Sequence, residues 1–157
     1  MPSDLAQAVR ATAILSVLIW TKVVATNLGL GGAKKNAGGR PPEDTYQKKD
    51  DEVTGEDKDR MDRAQRIVNN DLENIPYTMV LAWGALFCIS LIEDEGALND
   101  HARAHIVLYS LFSACRFTHS IVYALGLAYV RSLVWLVGVL CSFGIAINGA
   151  AASYKIP

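Results

Sequence analysis

Apolar residues run along this chain in long blocks. An α-helix needs about 20 mostly apolar residues to cross a hydrocarbon core about 30 Å thick. Four blocks approach or exceed that length: residues 11–30, 75–92, 105–130 and 132–153. Lys22 interrupts the first, Arg116 and His119 lie within the third, and the fourth has no charged side chain. The pattern predicts an all-α integral membrane protein, a four-transmembrane-helix bundle. The first block reads as a retained span, because its apolar run continues on both sides of Lys22 with no small-residue cleavage site after a short core.

Between the first two blocks the character changes. Residues 31–66 form a polar loop whose first part, Gly31–Asp50, is rich in Gly, Pro and Lys and predicts little regular structure. Thr54 with Asp57 three residues on is a capping-box helix start. From Glu56 to Ile92 the pattern is helical over 37 residues, about 55 Å at 1.5 Å per residue. That exceeds the hydrocarbon thickness, so the second helix should project several turns beyond the membrane. Pro76 predicts a kink near the membrane surface. Gly138, Ser142, Ala146 and Ala150 recur at four-residue spacing and predict close helix packing in the fourth span.

Composition narrows the class. A chain of 157 residues, 51% apolar, reads as one membrane domain, residues 1–157. A net charge of −1 gives no support for a nucleic-acid partner. Cys88, Cys115 and Cys141 sit far apart in apolar runs and fit neither a disulfide framework nor a zinc site. There is no metal constellation, phosphate-binding glycine loop or Ser-His-Asp set. Ten basic residues fall in the long loop and at Arg131, against three (Arg10, Arg103, Lys155) on the other side. The loop is therefore expected in the cytosol.

Polar residues inside spans are costly and should face the bundle interior. Arg66, Asn70 and Glu73 share one helix face at the entry to span two. They suit either a solvated face with intrahelical pairs or a binding site. Arg116, His119 and Tyr123 share a face inside span three, where Glu73 is the most economical partner for the guanidinium. An interhelical ion pair or a ligand site would explain them. Arg131 and Ser132 stand at the turn into span four, with Trp135 one turn on; alone, they would read as interfacial anchors. Lys22 either snorkels or joins the same polar cavity. His101 and His105 read as surface residues on the far side. Together the cations suit an anionic ligand carrying carboxylates, and a lipophilic partner arriving from the bilayer.

Four segments in order carry a family resemblance: Pro42–Asp44, Asp62–Ile75 (DRAQRIVNNDLENI), the Arg116/His119/Tyr123 set and Arg131-Ser132. They resemble the MAPEG family, membrane-associated proteins in eicosanoid and glutathione metabolism, near its microsomal glutathione transferases and prostaglandin E synthases. The resemblance implies a homotrimer of the endoplasmic reticulum that binds glutathione between subunits, open to the cytosol. It implies glutathione contacts from Arg66, Asn70, Glu73, Arg116 and Tyr123, with His119 close by. Arg131 matches an arginine facing the thiol, and Ser132 a serine that assists it. Val68 stands where relatives have His, Asn69 and Trp135 depart from the synthase pattern, and the connection from Tyr123 to Arg131 is one residue shorter than in close relatives. The implied activity is conjugation of glutathione to lipophilic electrophiles, or reduction of lipid hydroperoxides. A specialised eicosanoid synthase and a non-catalytic four-span adaptor are the alternatives.

Overall fold

The computed structural model describes residues 4–157. Four long helices form it: α1 (Asp4–Asn36), α2 (Gly55–Ser90), α3 (Glu95–Ala124) and α4 (Ala128–Ser153), with a single 3₁₀ turn at Asp50–Glu52 before α2. No strand occurs among the described residues. α1 packs on α2 and α3, α4 packs on the same two, and α2 also touches α3. The helices therefore enclose one seam, with α2 and α3 as its short diagonal.

Three helices, α1, α2 and α4, are long and apolar enough to cross a membrane. α3 is not among them, although its 30 residues would span about 45 Å. Its buried residues explain this: Ala102, His105, Tyr109, Phe112, Arg116 and His119 recur at intervals of three and four, so its polar side chains point into the bundle. The seam of α2 has the same rhythm, through Val68, Asp71, Ile75, Thr78, Ala82 and Ala85. Outward positions are apolar instead, including Leu28, Val80, Phe87 and Phe143. That inversion suits a hydrocarbon solvent.

The core itself is conventional. Ile19, Ile75, Tyr109, Phe112 and Ile145 centre one cluster, and Ala8, Leu86, Ile89 and Ala152 another. Small residues close the α2–α4 seam: a Cβ on Gly149 would lie 2.7 Å from the Cβ of Ala85. The packing face of α4 runs through Gly138, Cys141, Ile145, Gly149 and Ala152. Of the small-residue set expected from spacing, only Gly138 is buried on this face. Ser142 lies beside it and shares a hydrogen bond with Thr78.

Helix boundaries follow local chemistry. Thr54 Oγ accepts from the Asp57 N–H at 3.2 Å, and the Asp57 carboxylate accepts from the Thr54 N–H at 3.1 Å, completing the anticipated capping box. Lys48 donates to the same carboxylate at 2.9 Å. The Lys48 hydrogen bond, followed by those from Thr54, holds the Asp57 carboxyl at about 2. α2 continues through Pro76 as one 36-residue helix, about 54 Å long. α1 runs on to Asn36, into the segment expected as loop. Beyond it, Arg40 donates to the Gly31 carbonyl from Nη2 at 2.9 Å and stacks 5.0 Å from the Tyr46 ring centroid, folding the loop back onto the helix end.

Two expectations need correction. The third span ends at Ala124 rather than Val130, and α4 begins at Ala128, so Arg131 lies within the first turn of a helix. His105 is not a surface residue. It is 0% exposed, with Nε2 2.9 Å from Thr12 Oγ, because it occupies a seam position of α3.

Candidate functional site

The end of the bundle nearest the long loop gathers most of the polar side chains singled out in the sequence. α2 puts Asp71 on its seam and Asn70 beside it, while Arg66 and Glu73 stay exposed. α3 buries Arg116 and His119 and leaves Tyr123 half-buried near its end. α4 begins one short turn later, which brings Arg131 back over Tyr123, Cζ lying 4.7 Å from the ring centroid. The Tyr123 ring is itself 5.8 Å from that of His119.

The turn between α3 and α4 is tightly built. Gly126 has φ of 74°, a backbone conformation that costs a side-chain-bearing residue but not glycine. Arg63 of α2 reaches across and donates from Nη1 to the Ala124 carbonyl at 3.1 Å. A Cβ on Gly126 would come within 3.3 Å of that nitrogen. One missing side chain thus serves both the turn and the arginine that braces it.

Two cavities meet at Tyr123 and Arg131. The outer, of about 450 Å³, is lined additionally by Asp59, Asp62, Arg63, Arg66 and Gly126. The inner, of about 500 Å³, adds Asn70, His119, Ser132, Trp135 and Leu136. Arg66, Asn70, His119, Tyr123, Arg131 and Ser132 are therefore brought together. Asp59, Asp62 and Arg63 were missed by sequence reasoning. Their signal was the i, i+3/i+4 recurrence of charge over the two turns before Arg66.

Arg116 and Glu73 are placed differently. Arg116 lines neither cavity and is 1% exposed. Its Nη1 donates to Asn70 Oδ1 at 3.1 Å and its Nη2 to the Trp135 carbonyl at 3.5 Å, while Nε has no partner. The expected Arg116–Glu73 pair does not form. The buried carboxylate is Asp71, which pairs with Lys22 and accepts from Thr26 Oγ at 3.1 Å. Lys22 thus joins the interior and does not snorkel. The reason is angular: Glu73 follows Asp71 by two residues, about 200° around the helix, so a seam that takes Asp71 turns Glu73 outward. Spacing from Val68 through Asp71 to Ile75 carried that information.

Chemically, the outer cavity mixes two carboxylates with three guanidinium groups and suits a zwitterion. The inner cavity has no carboxylate in its lining and offers a guanidinium, a hydroxyl, a phenol, an amide and an imidazole. The Ser132 hydroxyl donates to the Ala128 carbonyl at 3.1 Å, which leaves its oxygen lone pairs free as acceptors. Among the described residues no group of His, Cys, Asp and Glu could hold a metal ion.

The family model for the MAPEG family matches residues 5–151. No curated protein and no solved structure matches the chain. A family match over nearly the whole chain agrees with the helical membrane architecture. The chain belongs to the MAPEG family, whose chemistry at membranes is glutathione-related and eicosanoid-type.

Proposed function

We propose that the protein is a glutathione-dependent membrane transferase that also reduces lipid hydroperoxides. The observation that carries this reading is the joining of a zwitterion-compatible outer cavity to a carboxylate-free inner one at Arg131. Glutathione has an ammonium group, two carboxylates and a thiol. Arg63 and Arg66 would take one of its carboxylates and Asp59 or Asp62 its ammonium, with Asn70, Tyr123 and His119 lining the path inward.

Arg131 is the residue we assign to thiol activation. A thiol with a pKa of about 8.5 is mostly protonated at neutral pH. A guanidinium beside the sulfur favours the thiolate, and a two-unit fall corresponds to about 2.7 kcal/mol. Ser132, in the adjacent position, would exchange its helix-carbonyl bond for one to sulfur. In conjugation to an aryl halide a carbon–sulfur bond forms, the carbon–halogen bond breaks, and the thiol proton leaves to solvent. Lipophilic substrates would enter laterally, past Trp135 and Leu136.

Exposure of Arg66 and Glu73 on one outward face of α2 supports a homotrimer in which a neighbouring subunit covers that face. The basic loop supports a cytosolic opening, and family membership is the ground for residence in the endoplasmic reticulum. The test is turnover of a generic aryl halide by purified protein in detergent, with calorimetric glutathione binding, for wild type and Arg131→Ala. The expected result is turnover by wild type, and a variant that still binds glutathione but loses rate and thiolate absorbance. Absence of glutathione binding by wild type would replace this reading with the adaptor. Binding without aryl halide turnover would point to a specialised synthase.

A further inference from the structure

A guanidinium donates hydrogen bonds and accepts none. The Asn70 atom that meets Arg116 Nη1 at 3.1 Å is therefore its carbonyl oxygen, Oδ1. Rotating the amide by half a turn would set N–H against N–H. Asn70 Nδ2, with its two donor hydrogens, is thereby turned away from Arg116. Asn70 lines the inner cavity and Arg116 does not.

Arg116 is itself held on several sides. Its Cζ lies 5.6 Å from the Phe112 ring centroid, and its Nη2 donates to the Trp135 carbonyl. It occupies a notch left by Gly138, where a Cβ would come within 3.2 Å of Cζ and 3.3 Å of Nε. No carboxylate pairs with it, since the buried acid of the same layer, Asp71, is bound to Lys22. Its Nε is buried without a partner. A buried cation with no carboxylate in contact is poor helix glue, because only the longer-range field of Asp71 works against its desolvation.

We infer that Arg116 is a positioning residue that acts through Asn70, fixing the amide so that Nδ2 donates into the inner cavity. Gly138 belongs to the same device, because only a residue without a side chain leaves room for the guanidinium. This end of the cavity then takes an acceptor-only group, a carboxylate, and rejects an ammonium. The inference rests on the proposed glutathione site, and it differs from a direct contact between Arg116 and glutathione.

A double-mutant cycle tests it. Glutathione affinity by calorimetry, with KM and kcat for aryl halide conjugation, would be measured for wild type, Arg116→Lys, Gly138→Ala, Asn70→Ala and the two doubles carrying Asn70→Ala. Gly138→Ala retains the Arg116 charge and displaces only its position, so it completes the cycle if Arg116→Lys does not fold. The single variants at 116 and 138 should each weaken glutathione about tenfold or more, raising KM more than they lower kcat. In the Asn70→Ala background the same changes should cost less than about threefold. Equal losses in both backgrounds, or no loss from either single variant, would overturn the inference while leaving the transferase reading intact. Failure of wild type to bind glutathione would overturn both.

Discussion

The two ends of the bundle contain similar polar residues and use them differently. At the end away from the long loop, polar groups pair with one another across helices, His105 Nδ1 excepted. His101 Nδ1 lies 2.7 Å from Asn148 Oδ1, and Asn148 Nδ2 returns a bond to the His101 carbonyl at 3.0 Å. His105 meets Thr12, and Tyr109 meets Ser16 at 3.0 Å. At the loop end the side chains instead face cavities, and guanidinium groups outnumber carboxylates. A polar residue inside a membrane helix is not in itself a functional signal. What separates the two ends is whether the residue's partners lie within the chain or are still to come.

The strongest challenge to that contrast is the Lys22–Asp71 pair, a closed, wholly internal arrangement at the open end. Lys22→Met should strip Asp71 of its partner and destabilise the protein by about 3–5 kcal/mol. Thermal aggregation in detergent would record this as a sharply lowered melting temperature. Removing both charges in Lys22→Met/Asp71→Leu should restore much of the loss. Arg131→Ala sits on the other side of the contrast. It should raise the thiol pKa by about two units, which at neutral pH cuts the thiolate fraction and the rate roughly 25-fold, with the melting temperature little altered.

Thr12→Val probes the far end. It leaves His105 Nε2 buried and unpartnered, for a loss of about 1–3 kcal/mol in stability. Glutathione affinity should not change, and a calorimetric shift would show that the two ends are coupled. The smallest effect concerns Asp57 at the start of α2. Its folded carboxyl titrates below the usual carboxylate range, so its capping contribution is complete above about pH 4 and fades toward about pH 2. Hydrogen exchange at the first amides of α2 should accelerate across that window, and the acceleration should vanish in Asp57→Asn.

Much of this was legible beforehand, for identifiable reasons. Hydropathy finds α1, α2 and α4 because their outward faces meet lipid. The Thr54/Asp57 cap is a local motif and survives folding. Arg116, His119 and Tyr123 do share an α3 face, and Asn70 does sit beside them. Failures arose where one residue could pair with several others. Glu73 was a plausible partner for Arg116 until the three-four rhythm of α2 selected Asp71 as the inward acid. His105 looked exposed because it follows an acidic loop. Its seam position is set by its spacing to Tyr109 and Phe112, which only the packed helix reveals. Arg63 went unnoticed because its role depends on the Ala124 carbonyl, 61 residues away in sequence.

One unbroken helix, α2, carries Thr54 at one extremity, Arg63, Arg66 and Asn70 along its shaft, and Ile89 at the far core. Its first turns pack beside the loop that follows α1, where a Cβ on Gly39 would come 2.6 Å from the Met61 sulfur, and Arg63 grips the Ala124 carbonyl. Asp59, Asp62, Arg63 and Arg66 wall the outer cavity and Asn70 the inner, so the two chambers share one unbroken partition.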